Sequence, residues 1–333
     1  MMDETDLAIV SALEVQPRAD FETLAEVLGY SPATIARRWE GLTQTGEAWV
    51  TVSPGYRHHE EGWSAFISIE ADAGDQEELA ERLCAEPSFA SVLLLSGEGQ
   101  FLLDCFAASA HDLMHLLTRD LPSMPGVVRR KIDPITKIYR FGSQWRSGVL
   151  DEPEQQALMR THARAPTGRQ PDGIDIKILE ELSADGRLAW QKIADSVGIS
   201  AQTAKRRVTQ MMSTGSMEFR CDTSTRENLG LQEVIVNWSV PSDAVDAVGA
   251  HLAADPMCRV SAQVFGAANL TATLWIHSYD QVQDHEAKVV AIAPRATVAD
   301  RHVVLRSYKR MGQILNEDGS RNSTVPITWW STK

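Results

Sequence analysis

The chain repeats itself at a distance of 169 residues. Aligned at that offset, residues 6–46 match residues 175–215 without a gap, and twelve of the forty-one positions are identical. The identical pairs include Asp6/Asp175, Arg18/Arg187, Gly29/Gly198, Ser31/Ser200, Thr34/Thr203 and Gly46/Gly215. Solenoid repeats have periods of about 20–50 residues, so this longer period indicates duplication of a whole two-domain unit.

The first part of each copy has the pattern of three helices. Apolar residues recur at helical spacing from Leu7 to Leu13, a short amphipathic helix ends at Gly29, and Ser31-Pro32 has the form of an N-cap followed by a first helical residue. Helix, helix, glycine turn and capped helix is the helix-turn-helix order. We therefore predict winged-type helix-turn-helix domains at residues 1–50 and 172–220.

The second part of each copy changes period. Strand-like runs such as "GWSAFISIE" and "LQEVIVNWSV" alternate with helical segments in the order βαββαβ. This order predicts an α+β fold with ferredoxin-like domains at residues 60–142 and 228–313. Residues 143–171, rich in Gly, Pro and charge, are predicted as a linker. Residues 314–333 are predicted as a loose tail, unless Trp329 and Trp330 dock into a groove.

The capped third helix carries the same polar face twice. Thr34, Arg37 and Arg38 are three and four residues apart, as are their counterparts in the second copy, so each set shares one helix face. Arginine suits guanine edges or phosphates, and hydroxyls suit phosphate oxygens. The alternative is that each arginine pair stays solvated near a helix end. We predict contacts to double-stranded DNA from Ser31, Thr34, Arg37, Arg38, Ser200, Gln202, Thr203, Lys205, Arg206 and Arg207.

The two predicted helix-turn-helix domains, which we call the first and second heads, differ in charge. The chain carries a net charge of −13, which argues against a protein that coats nucleic acid but not against a local reading surface. Residues 1–50 hold nine acidic and three basic side chains, whereas residues 172–220 hold seven of each. Gln202 and Lys205 also replace Ala33 and Ala36. We expect the second head to bind DNA more strongly.

These residues resemble those of the leucine-responsive regulatory protein and asparagine-operon regulator family (Lrp/AsnC) of transcription factors. The likeness rests on the opening Asp6-Leu7-x-Ile9-Val10 pattern, on "LAEVLGYSPATIARRWEGLTQTG", on "PSDAVDAVGAHLAADP" and on "VVLRSYKRMG", and it covers nearly all the chain in two copies. It implies DNA binding, response to an amino acid or related small molecule, and self-association through the βαββαβ sheets. A tandem chain suggests a covalent pseudo-dimer, paired within one chain or between two.

The resemblance also implies an effector site at the turn between the two central strands. The family has a Gly-x-x-Asp turn there, and this chain has "GEGQ" and "GAAN", without the carboxylate. An amide can hydrogen-bond but supplies no charge against an ammonium group. The expected effector-binding residues are Gly97, Gly99, Gln100, Gly266 and Asn269; tight strand turns are the alternative explanation for the glycines.

An enzyme on the same two-domain plan is the alternative function. His58-His59, beside Tyr56 and Arg57, resembles the region that carries His and Arg in the sirohaem decarboxylases, although the second copy has no His there. His111 and His115 have the spacing of metal ligands, but no third ligand is near in sequence, so we interpret them as surface histidines. We expect no catalytic residues, metal or cofactor.

The cysteines and the apolar segments indicate the cellular compartment. Cys84, Cys105, Cys221 and Cys258 are far apart, and we predict buried free thiols. No run of 18 apolar residues occurs, and the opening "MMDETDLAIV" is acidic where a secretory signal would be basic. We expect a cytoplasmic protein with no membrane contact.

Overall fold

The computed structural model describes residues 2–72, 74–97, 100–159, 170–224 and 229–330, without the side chains of residues 59–61. The chain divides into two compact units. The head unit comprises residues 1–61, 146–224 and 311–333, and the sheet unit comprises residues 62–145 and 225–310. Each unit therefore contains segments from both copies of the repeat.

The elements follow in chain order. The helices are α1 (Glu4–Val15), α2 (Phe21–Leu28), α3 (Pro32–Gln44), α4 (Tyr56–Glu61), α5 (Gln76–Ala85), α6 (Ala110–His115), α7 (Leu121–Ser123), α8 (Glu152–Leu158), α9 (Gly173–Ala184), α10 (Trp190–Val197), α11 (Ala201–Ser213), α12 (Val245–Ala254) and α13 (Asp280–Ile292). The strands are β1 (Ala48–Pro54), β2 (Trp63–Ala71), β3 (Phe89–Leu95), β4 (Gln100–Ala107), β5 (Val127–Arg140), β6 (Met217–Thr223), β7 (Gln232–Ser239), β8 (Cys258–Val264), β9 (Leu270–Ile276), β10 (Thr297–Arg310), β11 (Gln313–Leu315) and β12 (Arg321–Thr324).

The head unit holds two helix-turn-helix domains, α1–α3 and α9–α11. Gly29 and Gly198 end the second helix of each domain with positive φ values of 71° and 76°, a left-handed conformation that glycine adopts without a Cβ clash. Ser31 and Ser200 then cap the third helix. The helix-turn-helix prediction is confirmed, because local capping and turn signals determine this arrangement.

The strands that follow the two heads pair with each other. β1 pairs antiparallel with β6, with Val50 opposite Cys221. Gly46 and Gly215, two residues before these strands, both have positive φ, and a Cβ on Gly46 would lie 2.3 Å from the Arg321 carbonyl oxygen. Gly46 therefore permits a close backbone approach, and Gly215 a close approach of the Tyr56 ring, whose nearest atom lies 2.1 Å from the Cβ position. The wing strands of the two copies thus form one shared ribbon.

The sheet unit contains two ferredoxin-like βαββαβ domains. In the first, the strands lie in the order β3-β4-β2-β5, and in the second β8-β9-β7-β10. Ile67 and Ile69 of β2 are fully buried, as are Val236 and Trp238 of β7. The predicted fold class is confirmed in both copies.

The last strand of each domain joins the two sheets. The first half of β5 pairs with β2, and its second half, from Ile135 to Arg140, pairs with β8. Reciprocally, β10 pairs first with β7 and then, from Val304, with β3. Between the sheets lies an apolar cluster that includes Phe66, Leu102, Ile235 and Val264. The two ferredoxin-like domains are thus paired within one chain.

The predicted linker and tail both contain ordered structure. In the linker, Asp151 caps α8, and Leu150 and Leu158 are buried. In the tail, β11 pairs with β12, and Trp329 is 2% exposed and donates from Nε1 to the Ser216 carbonyl oxygen. The tail is therefore docked onto the head unit, the second of the two outcomes considered for its tryptophans.

All four cysteines are free and buried, as predicted. Burial raises the pKa of the Cys84 thiol to about 11 and that of Cys258 to about 12, which keeps both thiols protonated. In the described part of the chain, every helix is too short or too polar to cross a membrane.

Candidate nucleic-acid interface and ligand cavity

The hydroxyls at the start of each recognition helix, α3 or α11, bond to one another. Ser31 Oγ accepts from the Thr34 amide at 3.1 Å and lies 2.8 Å from Thr34 Oγ1. Ser200 and Thr203 repeat these contacts at 3.2 Å and 2.9 Å. Each serine therefore satisfies one free amide of the first turn, which is its structural role. Contact of all four residues with DNA stays a prediction.

The structure separates the two arginines of each pair. Arg38 Nη1 lies 2.7 Å from Asp3 Oδ2 and 2.9 Å from Asp6 Oδ1, at the start of α1. Arg207 Nη1 lies 2.9 Å from Asp175 Oδ1 and 3.1 Å from Asp172 Oδ2, at the start of α9. The carboxylates raise the pKa of both arginines.

The two arginines of a pair therefore have different surroundings, and contact of Arg38 and Arg207 with DNA stays a prediction. Adjacent helical residues point about 100° apart, so one arginine can face inward to the first helix while the other faces solvent. Arg37 and Arg206 are exposed. Gln202 and Lys205 are also exposed, on the same side of α11 as Arg206.

A reciprocal pair of arginines joins the two heads. Arg18 donates from Nη1 to the Gly186 carbonyl oxygen at 2.5 Å and from Nη2 to that of Leu188 at 2.9 Å. Arg187 donates to the carbonyl oxygens of Pro17 and Ala19, both at 2.7 Å. We call these contacts the arginine lock.

Stacking completes the arginine lock. The Arg18 guanidinium lies 3.9 Å from the Trp190 ring centroid, and that of Arg187 lies 4.9 Å from the Phe21 centroid. Trp190 is the repeat counterpart of Phe21, so the two halves of the lock are equivalent. Sequence comparison found the identity of Arg18 and Arg187 but assigned them no role. Their repetition in the loop between two helices was the available signal.

A cavity of about 350 Å³ lies between the two sheets of the sheet unit. Its lining includes five pairs of equivalent positions from the two copies, namely Phe66/Ile235, Ser68/Asn237, Leu102/Thr271, Lys131/Asp300 and Asp133/His302. Strand register explains the grouping, because Phe66 and Ser68 of β2 pair with Asp133 and Lys131 of β5. The cavity is large enough for a small metabolite.

Several charged groups of the cavity lining have polar partners at short distances. Lys131 Nζ lies 2.8 Å from Asp133 Oδ2, and Asn237 Nδ2 donates to Asp300 Oδ1 at 2.5 Å. His302 Nε2 lies 3.4 Å from Asp300 Oδ1. This contact lowers the pKa of Asp300 and raises that of His302. Because the two copies differ in sequence, the cavity is chemically asymmetric.

The expected effector residues have different surroundings. Gln100 lines the cavity. Gly97 has a positive φ of 118°, consistent with a strand turn, and Gly99 lies outside the described residues. A Cβ on Gly266 would lie 2.3 Å from Asp133 Oδ1, so this glycine lies beside a cavity residue. The Asn269 amide both accepts from and donates to the backbone of Val240, at 2.8 Å each. Asn269 therefore stabilises the strand end.

The histidines that the sequence raised as catalytic or metal-binding candidates differ in their burial and neighbours. His58 is 1% exposed, its ring packs edge-on at 5.9 Å from Trp330, and burial lowers its pKa to about 4. The His59 side chain lies outside the described residues. His115 Nδ1 lies 3.0 Å from Asp120 Oδ2. The described residues contain no group of three or more His, Cys, Asp or Glu that could hold a metal ion.

Two known domain families match segments of this chain. The AsnC-type helix-turn-helix domain family matches residues 2–43 and again residues 172–212. The Lrp/AsnC ligand binding domain family matches residues 64–142. The chain carries the domains of the Lrp/AsnC family. The helix-turn-helix match occurs twice, in agreement with the tandem repeat.

The curated relatives align over less than half of this chain. An uncharacterized HTH-type transcriptional regulator of Pyrococcus furiosus is 28% identical over 132 residues, which cover 38% of this chain and 87% of the relative. The leucine-responsive regulatory protein of Rhizobium meliloti is 27% identical over 147 residues, covering 43% of this chain and 94% of the relative.

A solved structure matches both copies together. The sirohaem decarboxylase NirDL, in co-complex with an iron-uroporphyrin III analogue, aligns over 93% of each chain with a TM-score of 0.57 and 13% identity. At this level of identity, the match supports the tandem fold only.

Proposed function

We propose that this chain is a sequence-specific DNA-binding transcriptional regulator that reads double-stranded DNA with α3 and α11. The observation that carries the proposal is the pair of exposed arginines, Arg37 and Arg206, on equivalent helices of two domains that the arginine lock joins. A recognition helix enters the major groove and presents its N-terminal residues to base edges. Arginine on that face suits guanine or phosphate.

Mapping of bound genomic sites, followed by fluorescence anisotropy with one recovered duplex, tests this function. Binding should weaken as salt rises, with a logarithmic slope of about −0.9 for each phosphate neutralised. Arg206→Ala should weaken binding, whereas Arg82→Ala in the sheet unit, which pairs with Glu78, is the matched control. Failure to recover any reproducible site would contradict the proposal.

We also propose that a small metabolite, with amino acids as the first candidates, modulates this DNA binding from the cavity. The cavity size, its polar and charged lining, Gln100 in that lining and Gly266 beside Asp133 support this proposal. Calorimetry with an amino-acid panel measures binding directly. Ser68→Trp, which fills the cavity, should abolish the heat signal, and Ser239→Trp, exposed on β7, should leave it unchanged. A signal that survives Ser68→Trp would place the ligand elsewhere.

A sirohaem-decarboxylase-like enzyme is the alternative function, motivated by the tandem fold that NirDL shares. The burial of His58 beneath Trp330 opposes it, because an acid that transfers protons to a substrate must reach that substrate. An absorbance spectrum of the isolated protein separates the two functions. A regulator should show no Soret band, whereas stoichiometric tetrapyrrole with release of carbon dioxide would establish the enzyme.

A further inference from the structure

The solvent-facing stripes of the two recognition helices differ at three of four positions. Helical spacing of i, i+3, i+4 and i+7 puts four residues on one face of each helix. In α3 this stripe is Ala33, Ala36, Arg37 and Glu40. In α11 it is Gln202, Lys205, Arg206 and Thr209. Seven of the eight are exposed and Ala36 is half-buried. Only the arginine is common to both.

The two stripes differ in charge and in hydrogen-bonding groups. The α3 stripe has a formal charge of zero, because Glu40 offsets Arg37, and its Ala33 and Ala36 carry methyl groups only. The α11 stripe has a formal charge of +2 and an amide. Glu40 Oε1 accepts from Gln44 at 3.2 Å, which holds that carboxylate on the helix surface. The DNA phosphates therefore attract the second stripe more strongly.

Different base edges fit the two stripes. Gln202 can pair bidentately with adenine, and Arg206 with guanine. Ala33 and Ala36 present methyl groups, which suit contact with a thymine methyl, while Arg37 retains a guanine contact. A homodimer presents the same stripe twice and so reads a palindrome. This chain presents two unequal stripes in a fixed arrangement, because the arginine lock and the β1–β6 pairing join the heads.

We propose that one chain recognises a non-palindromic operator made of two different half-sites. α11 reads a half-site containing adenine and guanine, and α3 reads one containing thymine and guanine. The inference rests on the proposed DNA-binding function and names the class of operator for it. Covalent fusion makes this possible, since it allows the two recognition helices to diverge independently.

Selection from a randomised duplex library tests the symmetry of the operator. A random region of about 24 bp is long enough for two half-sites one helical turn apart. The wild-type chain should yield a non-palindromic consensus. The triple variant Ala33→Gln, Ala36→Lys, Glu40→Thr gives α3 the α11 stripe and should yield a palindrome of the α11 half-site.

Affinity measurements on the two selected duplexes complete the test. The wild type should prefer its own duplex to the palindrome by about tenfold or more, and the triple variant should reverse this preference, since one good base contact discriminates by about 5- to 150-fold. The three substituted side chains lie outside the buried core, so an unchanged thermal melt serves as the folding control.

The possible outcomes test the non-palindromic operator separately from DNA binding itself. A palindromic consensus from the wild type, or a triple variant whose consensus stays unchanged, would overturn the inference and leave DNA binding intact. No enrichment of any sequence by the wild type would overturn both.

Discussion

Replacing Arg18 or Arg187 should destabilise the head unit, and lysine should be a worse replacement than methionine. Arg18 makes two charge-assisted hydrogen bonds to backbone carbonyls, at 2.5 and 2.9 Å. Each such bond contributes about 1.5–3 kcal/mol, so their loss costs about 3–6 kcal/mol. Against this gain, burial and the nearby charge of Arg187 lower the pKa of Arg18 to about 10.

The free-energy cost of burying the Arg18 charge is similar in size to the gain from its hydrogen bonds. A pKa lowered from 12.5 to about 10 corresponds to about 3 kcal/mol spent on keeping the guanidinium charged in its buried site. Arg18→Met removes that cost together with the two bonds and keeps an apolar stem against Trp190. We therefore expect a net loss of about 0–3 kcal/mol. Arg18→Lys keeps a buried charge but loses the planar fork and its stacking, so it should lose more.

Urea unfolding of the full-length chain, followed by circular dichroism, measures these differences. The two units can unfold in separate transitions, so the midpoint of the transition that shifts is the quantity to compare. Arg37→Met, at an exposed position, is the control and should leave the midpoint unchanged. A lysine variant more stable than the methionine variant would refute the argument from fork geometry. Unchanged midpoints in all variants would show that the arginine lock contributes nothing.

Three further measurements follow from the same structure. Arg206→Ala should weaken operator binding by about 5- to 150-fold with an unchanged melting temperature, whereas Arg207→Ala should lower the melting temperature because its aspartate partners lose their cation. At equal salt, Arg37→Ala should cost less affinity than Arg206→Ala, and an equal or larger loss would contradict the inequality of the heads. The contact with Asp300 raises the pKa of His302, so its stabilisation is complete below about pH 6.5 and is lost as pH rises through the raised pKa; the melting difference between wild type and His302→Gln should shrink over that range, and a constant difference from pH 5 to 9 would exclude this role.

The duplication and the types of secondary-structure element could be predicted from the amino-acid sequence alone. Asp6, Gly29 and Ser31 recur at a constant offset because each acts within a few residues of itself, as a cap or a turn. Such signals are local, so they can be read without knowing the rest of the fold. The βαββαβ order was available for the same reason, since periodicity distinguishes strands from helices.

Local sequence does not distinguish the exposed arginines from those held in ion pairs. Arg37 and Arg38 are indistinguishable as letters, and what separates them is an aspartate pair more than thirty residues away in the chain. The arginine lock depends on contacts across about 170 residues. The cavity depends on the crossing of β5 and β10 between the two sheets, which pairs each long strand with two partners. Burial and ion pairing arise from segments that meet only after folding, and no local pattern encodes which segments those are.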